Sequence, residues 1–388
     1  MPFISGPDGD LKTAFVSDAF LLDQFVGNTL FTWGRNSYGN LGDNTIVSKS
    51  NPVQTVAGGI NWKQVSGCSN NSAAIKTDGT LWVWGDNVTN GQLGDNTVVR
   101  KSSPIQTIAF GTNWKSVSCG SVITTAIKTD GTLWCWGSNT NGGLGDNTIV
   151  KKSSPVQTIA FGINWKQVSC GYAYTACIKT DGTLWCWGLN SSGQLGDNSA
   201  TKRSSPVQTI ALGKNWKQVA CGGSNTAAIK TDGTLWCWGY NTFGSLGDNT
   251  NTNRSSPIQT ITYGTNWKSV SCGVYHTAAI KTDGTLWTWG YNFYGELGDN
   301  TTTQRTSPVQ TITFDTNWKQ VSCGNGVTAA IKTDGTLWSW GNNDNGQLGN
   351  QSSVTRRSSP VQTTAYGTNW KQVACGYYHT VAVTNGDI

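Results

Sequence analysis

Apolar and polar positions alternate along this chain in short runs, each cut off by a glycine, and the clearest run is "TAIKTDGTLWCWG" at 125–137. Asp130-Gly131 is a two-residue hairpin signal of the type I′ kind, which predicts one strand over Thr125–Lys128 and the next over Thr132–Trp136. Side chains alternate between the faces of a strand, so Leu133 and Cys135 share one side and Trp134 and Trp136 the other. Both sides are apolar, so this strand is expected to be covered on both faces, as in a sheet lying between two similar sheets. "SSPVQTI", opening at a proline after a polar loop, predicts another strand. So does "NWKQVSCG", where Trp165, Gln167 and Ser169 alternate against Lys166, Val168 and Cys170. No helical period intrudes.

The four-strand unit recurs. The W-G pair falls at Trp33, Trp84, Trp136, Trp187, Trp238, Trp289 and Trp340, with the N-W pair between, from Trp62 to Trp370. Seven four-stranded units at near-constant spacing predict an all-β fold, a seven-bladed β-propeller. The ends complement each other. "TLFTWG" (29–34) lacks a preceding "AAIKTDG", and "TVAVTNG" (380–386) lacks a following "TLWxWG". The N- and C-terminal strands are therefore expected to share the last blade and close the ring. Residues 1–18 match no repeat and read as an arm or attachment segment, leaving 19–388 as the propeller. "AFLLDQFVGNT" (19–29) leaves open a local hairpin or a short helix.

Composition narrows the function classes. Twenty Trp and 48 Gly exclude a disordered chain. No apolar run approaches the ~18 residues of a membrane-spanning helix, and no basic-then-apolar secretory signal opens the chain. The eleven cysteines follow the repeat, and equivalent slots of successive blades are too far apart to bridge. They read as buried thiols of a protein made in a reducing cytoplasm without a signal peptide. No C-x-x-C pair offers a zinc site. Of the 27 basic residues, thirteen are the repeated Lys of "NWK" and "IKTDG". A further set (Lys49, Arg100, Lys101, Lys151, Lys152, Lys202, Arg203, Arg254, Arg305, Arg356, Arg357) precedes the proline and reads as a solvated rim. Two histidines, and acids recurring as turn residues in "KTDGT" and "LGDNT", leave catalysis nothing to stand on. No enzyme, metal or cofactor is expected.

"CGVYHTAAIKTDGTLWTWG" (272–290) and "WGLNSSGQLG" (187–196) resemble the units of the regulator of chromosome condensation repeat family. The resemblance covers about 30–388 and implies a seven-bladed propeller. It also implies that the loops after C-G and after W-G lie on one face of the disc. Members of the family do unrelated jobs. Exchange on a small nuclear GTPase uses acidic and His side chains in these loops, whereas the W-G loops here hold only Asp86 and Asp344 as acids. A light-sensing member carries Trp after C-G, and no triplet here contains one.

Positions where near-identical copies differ are where binding can reside. Those are the triplets after C-G and the x-N-x-x loops after W-G, in which Asn36, Asn87, Asn139, Asn190, Asn241, Asn292 and Asn343 stay fixed. The differing positions gather Tyr240, Phe243, Tyr275, His276, Tyr291, Phe293 and Tyr294, with Tyr377, Tyr378, His379, Tyr172 and Tyr174 further round. Exposed aromatics on rigid loops give contact area at low entropy cost, so these twelve form the expected binding face. Two readings follow for a non-enzymatic binding or structural propeller. One is a phage virion component, joined to other virion subunits through residues 1–18 and displayed to a host surface or its glycan. The other is an intracellular protein-interaction scaffold or a GTPase or chromatin regulator. Neither involves sequence-specific nucleic-acid readout or membrane insertion.

Overall fold

A computed structural model describes residues 27–385, apart from 109–110, 160–161, 212, 262–263, 365–366 and 368. The expected arm (1–18) and most of the ambiguous 19–29 segment lie outside the described residues.

The described residues form seven four-stranded antiparallel sheets. In blade 3 the strands run from axis to rim as Trp165–Cys170, Tyr174–Lys179, Leu184–Gly188 and Arg203–Gln208. The innermost strands of successive blades touch around the axis. Closure is as expected: Trp370–Cys375 and His379–Thr384 from the end of the chain pair with Leu30–Gly34 and Lys49–Gln54 from its start, in register Leu30↔Val383 to Gly34↔His379.

Two local predictions need correction. The D-G hairpin is not a two-residue type I′ turn, because Gly131 has φ 81° while Asp130 stays at negative φ. Gly131 N–H donates to the Lys128 carbonyl and Lys128 N–H to the Thr132 carbonyl (3.0 Å each). This is a three-residue loop ending in a left-handed glycine. Asp130 Oδ1 accepts from the Thr132 N–H and hydroxyl at 2.9 and 2.7 Å, so the acid serves the turn. In the innermost strand, strict alternation fails at Lys166, where a β-bulge shifts the register between Trp165 and Gln167. The extra residue turns Trp165 to the same side as Val168 and Cys170, in one core cluster.

The core lies between blades. Leu133 and Cys135 of blade 2 pack with Trp165, Val168 and Trp187 of blade 3, and the same cluster recurs around the ring. Each W-G tryptophan spans a seam: Trp187 Nε1 donates to the Gly143 carbonyl, and Trp33, Trp84, Trp136, Trp238, Trp289 and Trp340 do likewise, all at 2.9 Å. Gly145 lies under that indole with φ +66°, and a Cβ there would meet Trp187 Nε1 at 2.7 Å. The L-G glycine is thus required by both dihedral and contact. Nearer the axis, the Gln167 amide both donates to the Val219 carbonyl and accepts from its N–H (3.1 Å each). Gln64, Gln218, Gln320 and Gln372 clasp the following blade in the same way. Ser116 and Ser269 stand in that slot in blades 2 and 5, their hydroxyls buried and unpaired.

Candidate functional site

The fixed asparagine of each W-G loop is the loop's organiser. Buried Asn139 accepts from Leu144 N–H at 3.0 Å and donates to Asp146 Oδ1, the Thr148 carbonyl and the Val150 carbonyl. With the backbone so held, the two residues after it, such as Thr140 and Asn141 or Phe293 and Tyr294, are free to vary and remain exposed or half-buried. The C-G loops are tied blade to blade as well, Tyr172 N–H to the Gly223 carbonyl and Tyr377 N–H to the Cys68 carbonyl. Both loop sets line one depression of ≈ 430 Å³, walled by Tyr172, Tyr240, Tyr275, Tyr377 and Tyr378 with Ser192, Ser224 and Asn325. The two loop families therefore share a face. Tyr377 crosses toward the axis, where its hydroxyl accepts from Ser121 of blade 2 at 2.8 Å, and burial pushes its phenol pKa up.

From this depression a continuous arc of rings runs outward over blades 4 and 5. Tyr240 meets Tyr275 (centroids 5.9 Å), Tyr275 meets Phe243 (5.2 Å), Phe243 meets Tyr291 (4.8 Å), Tyr291 stacks on Phe293 (6.3 Å), and Phe293 meets Tyr294 edge-on (5.1 Å). Arg356 caps the outer end, 5.8 Å over Phe293. Tyr172, Tyr275 and Phe293 are exposed, while Tyr240, Phe243, Tyr291, Tyr294, Tyr377 and Tyr378 are half-buried.

Three expected face residues are not on the face. Tyr174, His276 and His379 are buried, because the third residue of the C-G triplet is also the first residue of the next strand. It pairs with the W-G glycine (Tyr174↔Gly188, His276↔Gly290, Gly34↔His379). Their polar atoms bind the following blade: Tyr174 hydroxyl donates to the Asn225 carbonyl (2.6 Å), His276 Nε2 meets Thr328 Oγ1 (2.9 Å), and His379 Nε2 meets Ser72 Oγ (2.8 Å). Burial lowers both imidazoles from 6.5 to about 3, so they are neutral seam residues.

Sequence reasoning missed a second cluster. Arg35 lies between Tyr38 and Tyr378, 5.2 and 5.3 Å from their centroids, and Arg100 covers Tyr38 at 4.7 Å. Arg35 and Tyr38 sit in the first W-G loop, and their divergence from the sister copies was the available signal. Glu296 was also missed. It is buried where three sister copies hold Gln92, Gln194 and Gln347. Its Oε2 accepts from Tyr294 N–H at 2.8 Å, its Oε1 has no partner, and desolvation raises its pKa to about 7. The eleven cysteines are all free thiols. Burial raises those around the axis, Cys170 to about 11 and Cys119, Cys272 and Cys375 to about 12. Among the described residues no three His, Cys, Asp or Glu side chains are grouped to hold a metal.

A seven-bladed propeller whose copied scaffold carries divergent loops on one face belongs to the repeat-propeller class. The chain belongs to the regulator of chromosome condensation (RCC1) family: the RCC1-like domain pattern matches residues 112–388, and the RCC1 repeat pattern matches 28–75 and 78–127. It is 32% identical over 329 residues to the ultraviolet-B receptor UVR8 of Arabidopsis thaliana, covering 82% of this chain and 74% of that one. It is 27% identical over 379 residues to the human E3 ubiquitin-protein ligase HERC2, covering 94% of this chain but 8% of the ligase. Among solved structures, Prp20p of Saccharomyces cerevisiae superposes with TM-score 0.83 at 19% identity over 92% of each chain. Human WBSCR16 superposes with TM-score 0.82 at 21% identity, over 93% of this chain and 100% of the other. These two show the fold.

Proposed function

We propose that this protein is a non-enzymatic interaction propeller, a scaffold or regulator of the RCC1 type, which grips a protein partner through the face that carries the C-G and W-G loops. The observation that carries this reading is the unbroken arc from Tyr240 to Tyr294, whose rings meet tilted, edge-to-face or stacked with centroids 4.8–6.3 Å apart. Rigid, amphipathic rings of this kind concentrate binding energy at interfaces. Prp20p, which shares the fold, is described with binding to Gsp1p and histones and in complex with Kap60. The family likeness supports protein partners. It lends nothing to virion subunits or cell-surface glycan, and the virion reading is not carried forward. The ligase activity named for HERC2 belongs to a protein matched over 8% of its length, so it gives this chain no chemistry. Eleven free thiols fit a reducing compartment.

The test is affinity capture with the full chain, identification of the retained protein, and titration of that purified protein against wild type and a Tyr275→Ala/Tyr291→Ala/Phe293→Ala/Tyr294→Ala variant. Affinity should fall at least about a hundredfold, the scale of two interface hot spots, with the urea midpoint of the variant close to wild type. Unchanged affinity would overturn the reading.

A further inference from the structure

Ion pairs at the rim follow the repeat in five copies; Asp146 and Lys152 lie beyond ion-pair distance, and the seventh copy lacks the acid. The Asp of each "LGD" turn faces the basic residue that opens the outermost strand. Arg203 grips Asp197 through Nε at 2.9 Å and Nη2 at 2.8 Å, and Arg254–Asp248 and Arg305–Asp299 repeat this fork at 2.8–3.0 Å. Lys49–Asp43 and Lys101–Asp95 are looser, at 3.8 and 3.6 Å. The seventh copy reads "LGNQ" and puts Asn350 in the acid's place. Asn350 keeps the turn, its Oδ1 accepting from Ser352 N–H at 3.2 Å. It does not replace the charge. Arg357 therefore reaches only the Ser352 hydroxyl through Nη2 (3.2 Å), and its Nε is buried with no partner. Beside it Arg356 is exposed, its Nη1 donating to the Phe293 carbonyl at 3.4 Å. Among the described residues no carboxylate lies within ion-pair distance of either guanidinium. Two unneutralised arginines thus stand side by side in the one copy whose acid is replaced, Arg356 over Phe293 at the outer end of the aromatic arc and Arg357 beside the Ser352 turn.

We infer that Arg356 and Arg357 bind a carboxylate of an acidic partner segment, whose apolar side chains lie along Phe293 and Tyr294. The inference rests on the interaction face proposed above. Charge complementarity selects the occupant: a guanidinium binds a carboxylate through strong charge-assisted hydrogen bonds, and in the sister copies Arg Nε and Nη2 converge on one carboxylate oxygen, Oδ2 of Asp197, Asp248 and Asp299. A partner's Asp or Glu supplies from outside the charge that five copies pair from within.

Substituting Asn350→Asp would return the internal acid, so it is the discriminating change. Fluorescence anisotropy of the full chain would be followed with a labelled peptide alternating glutamate and phenylalanine, with its glutamine twin, and with a labelled oligothymidylate. The acidic peptide should bind at least about tenfold more tightly than its twin, the worth of one charge-assisted bond pair. Asn350→Asp should weaken it about tenfold while raising the urea midpoint, since it completes an ion pair. Arg357→Gln should weaken it similarly without that gain. Equal binding of the glutamine twin, undiminished binding by Asn350→Asp, or binding of the oligothymidylate alone would overturn the inference. If the aromatic quadruple variant loses its captured protein while Asn350→Asp retains it and still binds the acidic peptide, the face stands and the acidic occupant falls.

Discussion

Tyr275 and His276 are neighbours in the chain and opposites in the fold. Tyr275 is 39% exposed on the aromatic arc, and His276 is 1% exposed in the seam between blades 5 and 6. The same split recurs in other blades: Ser224 and Tyr378, second residues of their C-G triplets, line the depression, whereas the third residues Tyr174, Asn225 and His379 are buried. Both positions differ among copies, yet for different reasons. On the face nothing internal constrains the side chain. In the seam the constraint is a pair, so Tyr174, Asn225, His276, Val327 and His379 can each be accommodated if the facing blade suits them. Variation between copies therefore marks binding in one slot and pairwise packing in the next.

The most severe way to test this split is truncation. Tyr174→Ala removes a fully buried ring and leaves the Asn225 carbonyl without its phenol donor, and should cost about 3–5 kcal/mol in urea unfolding. Tyr275→Ala should cost less than about 0.5 kcal/mol, as exposed positions do, while weakening partner binding. Equal losses at the two sites would erase the distinction between face and seam.

Acid should act on the seam and spare the arc. His276 and His379 titrate near 3 in the folded chain against 6.5 when free. The unfolded chain binds the protons first, so their contribution is complete above about pH 6.5 and is lost as pH falls toward 3. Each histidine should remove about 2 kcal/mol at pH 5, from about 1.4 kcal/mol per unit. A His276→Gln/His379→Gln variant should show a flatter fall in stability between pH 7 and 5, followed by denaturant unfolding at each pH. An unaltered slope would place the two imidazoles in contact with water.

Glu296 reverses that sign. Its folded pKa of about 7 lies above the free value of 4.5. Its contribution is therefore greatest below 4.5 and is lost as pH rises through 7, where a buried carboxylate with one unpartnered oxygen is held beside Tyr294. Glu296→Gln, which installs the residue of three sister copies, should stabilise the protein by about 3 kcal/mol at pH 7.5 and by almost nothing at pH 4.5. A gain that did not vary with pH would attribute the effect to shape rather than charge.

Much of the architecture was legible because each blade repeats the same demands. The W-G tryptophan, the L-G glycine beneath it and the D-G loop recur at fixed spacing, and chain ends lacking complementary halves announced the shared blade. The β-bulge at Lys166 was not legible, because a shift of side chains from one face to the other leaves no trace in a strictly alternating pattern. Nor was the inward turn of Tyr174, His276 and His379, since their triplets read as loop until pairing with the W-G glycine places the third residue in a strand. The uncovered charge of Arg357 was written in "LGNQ", yet it acquires meaning only when Arg203, Arg254 and Arg305 are seen gripping their acids. The arc's residues were identifiable from copy-to-copy differences, but Arg35 and Tyr38 escaped because only one of them is aromatic and both lie in the least regular copy.

The smallest effect concerns the axis, where copies differ without touching either the face or the outer seam. Five blades clasp the next through a Gln amide that meets both the N–H and the carbonyl of a valine, whereas Ser116 and Ser269 leave a buried hydroxyl unpaired in the two remaining places. The serine is too short to cross, yet the valines it should reach, Val168 and Val321, occupy the same position in their strands as Val219 does in the clasped seam. Ser116→Gln and Ser269→Gln should therefore each add two hydrogen bonds and relieve one orphaned hydroxyl. Against that gain stands the rotamer entropy of a longer side chain, so about 1 kcal/mol per site is expected, read as a higher urea midpoint at constant slope. Peptide binding on the face should not change. A loss of stability would mean that the two serine seams are narrower than the five glutamine seams, and that the ring is closed by unequal blades.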